Sequence, residues 1–411
     1  MSLRFNKYEL GFLILFIFLF PQSILSQISG IFSYSDEIFA IWGACTFLNR
    51  CSRKIIGGAY PRAKKIMTLA FIIALIGWIS SFLHKIQPSI GVNLFDCFTF
   101  LKFFFIFFLS LLLLRKSRLD KVIIPIYQLT TFYLITGFIF LVISQVIDIG
   151  MTFEKRYGFN SFMFINSNPG DYASILIISL VIIHIYSSYK KKSCRFVKLI
   201  TIILIIFTFR GKSLGFIATY LMVVFFIERH NNLSVKSLVI LAILGIVGGY
   251  VQIRYYFVDN ITPRALLLSN GIVTANEHFP LGAGYSTYGS NMAKIHYSPL
   301  YTQYGFKNIW GMNEEEQMFL NDNFWPMIMG QYGWIGLILF ILILLVLFKI
   351  VSDNIVQKQL KIAGFSIFFL LLYSSIGGPI FVHYIGCASI IIFSLIMRAS
   401  KTISLKNTSY V

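Results

Sequence analysis

The chain has 411 residues, of which 57% are hydrophobic, 17% aromatic and 12% charged, with a mean hydropathy of +0.77 and a formal net charge of +19. A charged fraction about half of the roughly 25% usual for soluble domains excludes an ordinary globular enzyme, and the lack of period-two alternation excludes a transmembrane β-barrel. What remains is an all-α, polytopic integral membrane protein.

Twelve apolar runs approach or exceed the length needed to span roughly 30 Å of hydrocarbon as helices. They fall at 8–29, 34–49, 66–84, 93–114, 121–147, 170–188, 196–210, 213–228, 236–253, 323–349, 360–377 and 379–397, the second and seventh being short. The first follows a short basic start without a small-residue cleavage pattern, as an uncleaved anchor does. Residues 1–253 thus carry nine spans, 254–322 form one large external loop, 323–398 carry three more spans, and 399–411 form a tail. With the N-terminus inside, the basic clusters at 50–65, 115–121, 190–198 and 349–361 all fall on one side. Cytoplasmic loops concentrate Lys and Arg, so the charge encodes topology, with both termini cytoplasmic, and does not imply a nucleic-acid partner. Cys45, Cys97 and Cys387 fall in spans and Cys51 and Cys194 in cytoplasmic loops, which leaves the external loops without a disulfide framework. Neither a His/Cys cluster nor a phosphate-cradling glycine motif is visible, so no cofactor and no metal is expected.

The charged groups near the external helix ends are more informative. Asp96 and Lys102 are rare charges within a span, six positions apart. FRGKSLG at 209–215 leaves room only for a tight external turn, where Arg210 needs an anionic partner or water. Snorkelling to the interface is its plainer role. Lys212 doubles the positive charge. Arg264 opens a stretch whose apolar Ala265 to Leu268, Ile272 and Val273 predict an amphipathic helix at the membrane surface. PLGAGYSTYG at 280–289 places Gly282, Gly284 and Gly289 where a backbone turns sharply or approaches a ligand. Tyr285, Tyr288, Tyr297, Tyr301, Tyr304 and Trp310 suit either stacking on sugar rings or an interfacial aromatic belt, and Glu314, Glu315 and Glu316 read as a solvated run. Asp322, at the start of the tenth span, fits a helix cap or a general base.

Three of these segments, in this order and at fitting separations, resemble the O-antigen polymerase and ligase superfamily of bacterial surface-glycan assembly. An Arg–Gly turn opening a helix matches Arg210–Gly211. An arginine preceding an "hPLGxG" segment in the large periplasmic loop matches Arg264 with His278 to Gly284. A polar pair leading a helix with a "GxxG" matches Asp322–Asn323 followed by Gly333 and Gly336. Ligases of the superfamily typically carry histidine where this chain has Asp322, so the resemblance leans toward a polymerase. It implies a metal-independent glycosyltransferase in the bacterial cytoplasmic (inner) membrane. Such an enzyme joins undecaprenyl-diphosphate-linked oligosaccharide repeat units into O-antigen or capsular polysaccharide on the outer side. Its implied partners are that lipid-linked oligosaccharide, membrane lipid and a chain-length regulator protein. Arg210 and Arg264 would clamp the diphosphate through their planar forks. Asp322 would be the base, with His278 the second candidate, and Lys212, His278, Gly282, Gly284 and Tyr285 would bind substrate. The alternatives are a ligase acting on lipid A core and a flippase or secondary transporter. The latter is disfavoured by the lack of repeat symmetry between the two halves.

Overall fold

Long apolar runs with few internal breakers become helices because each backbone group then finds its partner within its own segment. The computed structural model describes residues 5–156, 158–233 and 262–408, with isolated positions between 234 and 261. In chain order the helices are α1 (Lys7–Leu19), α2 (Gln22–Ile28), α3 (Ser35–Leu48), α4 (Arg50–Ala59), α5 (Pro61–His84), α6 (Ile90–Arg115) and α7 (Leu119–Val146). After a short hairpin of β1 (Thr152–Arg156) and β2 (Phe159–Phe162) come α8 (Pro169–Lys190), α9 (Arg195–Ile206) and α10 (Gly211–His230). The remainder is α11 (Pro263–Glu277), α12 (Asn291–Ile295), α13 (Pro299–Gln303), α14 (Phe324–Asn354), α15 (Lys358–Ile376) and α16 (Tyr384–Thr408).

Among the described residues eight helices are long and apolar enough to cross a membrane: α5, α6, α7, α8, α10, α14, α15 and α16 as far as Leu405. The protein is therefore a multi-pass, all-α membrane protein. The first expected span is broken, with α1 and α2 meeting at 71°, since Pro21 lacks the N–H that would continue the ladder. At 14 and 12 residues, α3 and α9 are shorter than the other spans. The expected ninth span at 236–253 lies outside the described residues. The last span starts at Tyr384, not at 379, because Gly377, Gly378 and Pro379 interrupt the helix.

The two ends of the bundle differ in charge. Arg62 bonds the Lys349 carbonyl at 2.6 Å and Asp353 at 2.7 Å, Arg115 the Ile55 carbonyl at 2.5 Å and Arg398 the Leu114 carbonyl at 3.1 Å. These contacts, with the Asn6 amide donating to the Lys116 carbonyl at 3.3 Å, gather the basic residues they join, the start of α1 and the later turns of α16 at one end of the bundle. The opposite end, here the loop end, carries residues 262–322. Between them α6 forms the central post, buried from Phe100 to Leu114. Lys102 on that post bonds Asp36 at 2.5 Å and Glu37 at 2.7 Å, while Gln22 donates to the other Asp36 oxygen at 2.8 Å.

Two features were not expected from sequence. The hairpin pairs Lys155 with Asn160 and Arg156 with Phe159, and it is tied to the α9–α10 turn by Ser161 donating to the Thr208 carbonyl at 2.7 Å. The loop, moreover, is a folded unit: α11 packs along α14, and Leu267, Tyr288, Tyr301, Phe306, Met312 and Leu320 form a small apolar cluster of their own.

Candidate functional site at the loop end

A helix interrupted within a bundle leaves carbonyl and N–H groups that must find other partners. That interruption occurs in α14 at Gly333, whose φ of 62° and ψ of −163° are far from helical and suit only glycine. The PLGAG segment supplies the partners. The N–H of Ala283 donates to the Gly330 carbonyl at 2.7 Å and that of Gly284 to the Gln331 carbonyl at 3.0 Å, while Ile335 donates to the Pro280 carbonyl at 3.4 Å. Gly284, with φ of 94°, lies so close to α5 that a Cβ there would stand 2.6 Å from the Ser81 nitrogen. Beyond it, the Tyr285 N–H donates to the Ser81 hydroxyl at 2.8 Å, and the phenol of Tyr285 donates to the Ala74 carbonyl at 2.9 Å. The segment ends on Asp96 of α6, whose Oδ2 accepts from the Ser286 N–H at 2.7 Å, the Ser290 hydroxyl at 2.9 Å and the Gln331 amide at 2.8 Å. The close backbone approach expected of these glycines is thus made to helices.

This placement changes the roles expected of several residues. Gly282, Gly284 and Tyr285 lie inside the bundle, with Tyr285 completely buried. Tyr288 and Tyr301 are equally buried, so neither has a face for a sugar, whereas Trp310 is 65% exposed. His278 ends α11 and packs edge-on against His84 at 4.5 Å between ring centres. Fourteen positions of helix rise separate it from Arg264, roughly 21 Å, so the second base candidate stands apart from the first.

Arg264, Asp322, Lys212 and Arg210 do come together. Thr262 caps α11 and Pro263 takes its first position, which brings Arg264 to the start of that helix. Asn323 caps α14, its side chain accepting from the Trp325 N–H at 3.1 Å. The capping role that suited Asp322 therefore belongs to its neighbour. Asp322 turns instead to Arg264, whose Nε and Nη2 both donate to Oδ2, at 2.9 and 2.8 Å. Among the described residues no hydrogen bond falls on Oδ1. Burial pushes the Asp322 carboxyl above the usual carboxylate range, while Arg264, Lys212 and Lys294 act against that rise.

Lys212, in the first turn of α10, lies within electrostatic reach of Asp171, Arg210, Arg264 and Asp322. Arg210 finds the anionic partner its position calls for, with Nη1 3.4 Å from the Glu154 carboxylate, and its guanidinium covers the Phe153 ring at 5.4 Å. The starts of α8, α10, α11 and α14 thus converge on one place, and the positive ends of their dipoles favour anions there.

Three members of this neighbourhood escaped the sequence reading. Asp171 accepts from the Asn168 amide at 3.0 Å and from the Tyr384 phenol at 3.3 Å. Asn-Pro-Gly-Asp at 168–171 carries a capping signature, which would have placed Asp171 in a first turn but not beside Lys212. His383 feels the charges of Asp171 and Lys212, and burial lowers its pKa. Glu154 belongs to the hairpin, whose signal was Gly158 between two short runs containing Phe153 and Phe159. No family model matches this chain, and no curated protein matches its sequence.

Proposed function

We propose that the protein polymerises undecaprenyl-diphosphate-linked oligosaccharide units at the loop end, on the outer side of the cytoplasmic membrane. One observation carries the reading: three cations and two carboxylates meet where four helices begin. In the proposed topology α3, α9 and residues 236–253 complete twelve crossings, with both termini cytoplasmic and 254–322 periplasmic.

The donor needs an anion site because its leaving group gains negative charge as the glycosidic bond breaks. Arg264 and Lys212 hold the diphosphate, and Arg210 sits at the edge of the same field. The resting pair of Arg264 with Asp322 gives this site a switch. A diphosphate that takes the Arg264 fork releases Asp322, which then serves as base only when the donor is bound. The acceptor hydroxyl oxygen forms a bond to the anomeric carbon, and its proton passes to the Asp322 carboxylate. The carbon–oxygen bond to the carrier breaks, and its electron pair leaves with undecaprenyl diphosphate.

A transporter would need charged groups free along a path through the bundle. The ion pairs of Lys102 and the three hydrogen bonds on Asp96 give these groups structural partners, so they lend that reading no support. The purified protein, reconstituted with lipid-linked repeat units, should yield glycans of increasing length with release of undecaprenyl diphosphate. Translocation without elongation, or transfer only to a lipid A core acceptor, would contradict polymerisation.

A further inference from the structure

A sizeable cavity stands at the opposite end of the bundle from the Arg264–Asp322 site. It measures about 470 Å³ and lies where the C-terminus of α8, the N-terminus of α9, the last turns of α10 and the start of α15 meet. From Asp171 to His184 the α8 helix rises thirteen positions, roughly 20 Å, so this cavity and the loop-end site are separate.

Four cations line it, Lys191, Lys192, Arg195 and Lys198, against the single carboxylate of Glu228. Among the described residues none of the four makes a salt bridge, in contrast to Arg62 and Lys102. A basic run on a cytoplasmic loop ordinarily does no more than set topology. Here two further features point to a ligand. Lys198 is held in place by neutral groups: its ammonium donates to the Gln359 carbonyl oxygen at 2.9 Å and lies 3.2 Å from Nδ1 of the buried His184. His184 is fixed in turn, with Nδ1 2.7 Å from the same Gln359 oxygen and Nε2 accepting from the Tyr220 phenol at 2.8 Å. A cation positioned in this way loses little freedom when an anion arrives. The other feature is the start of α9, which lines the cavity and where Cys194 supplies no side-chain cap to the first-turn N–H groups. The turn before it is rigid, since Ser187 donates to the Lys192 carbonyl at 2.7 Å and Lys191 adopts a left-handed conformation.

We propose that this cavity binds a phosphate ester, with the phosphate held by Arg195, Lys198 and the start of α9. Its volume falls within the range of small-molecule sites and exceeds what a bare phosphate fills. The organic part of the ester therefore also sits inside, whether it is a glycerophospholipid headgroup reached from the bilayer or a soluble phosphorylated metabolite.

The test follows thermal unfolding of the purified full chain in a neutral detergent. Dioctanoyl-phosphatidylglycerol, glycerol 3-phosphate or inorganic phosphate is added at constant ionic strength, with chloride as control. A ligand that binds only the folded state raises Tm saturably, by several degrees at about 100 times its Kd. A saturable rise with the lipid alone assigns the site to a headgroup, and an equal rise with glycerol 3-phosphate assigns it to a soluble ester. Either rise should disappear in the Lys192→Gln/Arg195→Gln variant, whose exposed positions leave the fold intact, and persist in Lys349→Gln on the same face. A rise that survives in the double variant, a rise matched by chloride, or no rise with either ester would overturn the proposal. None of these readings depends on polymerisation, so the two proposals fail separately.

Discussion

Asp96 binds the segment between α11 and α14 and Asp322 belongs to it, yet their surroundings give these two carboxylates opposite uses. Asp96 lies within the bundle and its Oδ2 receives three hydrogen bonds from neutral donors, which hold the inserted loop in place. Asp322 lies at the rim and is held by Arg264, a guanidinium that a phosphate can claim. A buried carboxylate held by neutral donors of the fold is a structural pin. One paired to a displaceable cation beside an anion site is available for chemistry.

That contrast can be broken most forcefully at the pin. Asp96→Ala leaves three buried donors without a partner and should cost about 3 kcal/mol or more, read as increased protease cleavage within 279–300 in detergent. Unchanged protection would mean that the loop is held by other contacts. At the rim, Arg264→Lys keeps the charge and loses the fork, so protein abundance should stay normal while elongation falls by about 10²-fold. A wild-type glycan ladder from this variant would return Arg264 to an anchoring role.

Gly284→Ala sharpens the comparison from the loop side. A side chain there meets the α5 backbone at a left-handed φ, and destabilisation of about 2 kcal/mol is expected. Since the glycine packs against α5 and α14, residual folded protein should retain its KM, and a raised KM would return Gly284 to substrate binding. The smallest effect concerns pH. Protonated Asp322 cannot accept a proton, so elongation should fall as pH drops through its pKa. Because burial raises that pKa, the acid limb should lie above the usual Asp range near 4. A limb at or below that range would mean another group accepts the proton.

The helices were legible because hydrocarbon solubility acts along each run, but the breaks at Pro21 and at Gly377 to Pro379 were not read, so the expected limits 8–29 and 379–397 missed there. The meeting of Arg264 with Asp322 was also within reach, since each opens a helix flanking the same loop. The insertion of PLGAG into α14 was not. Glycines that approach a ligand and glycines that approach a helix carry the same sequence signature, and Gly333 reads as an ordinary helix-packing glycine until its φ is known. The separation of His278 from Arg264, by contrast, was within reach, because the helix expected from Arg264 onward carries the two ends of the motif apart. No period or spacing brings Asp171 beside Lys212, as 41 positions separate them in the chain (212 minus 171).

The most direct measurement is elongation by purified Asp322→Asn in the same reconstituted assay, alongside its thermal unfolding. Because Asn323 already caps α14, the substitution should leave Tm nearly unchanged. Asparagine cannot accept the hydroxyl proton, so the account expects elongation to fall by about 10²-fold or more. Near-wild-type elongation from a normally folded Asp322→Asn protein would contradict the assignment of Asp322 as the base.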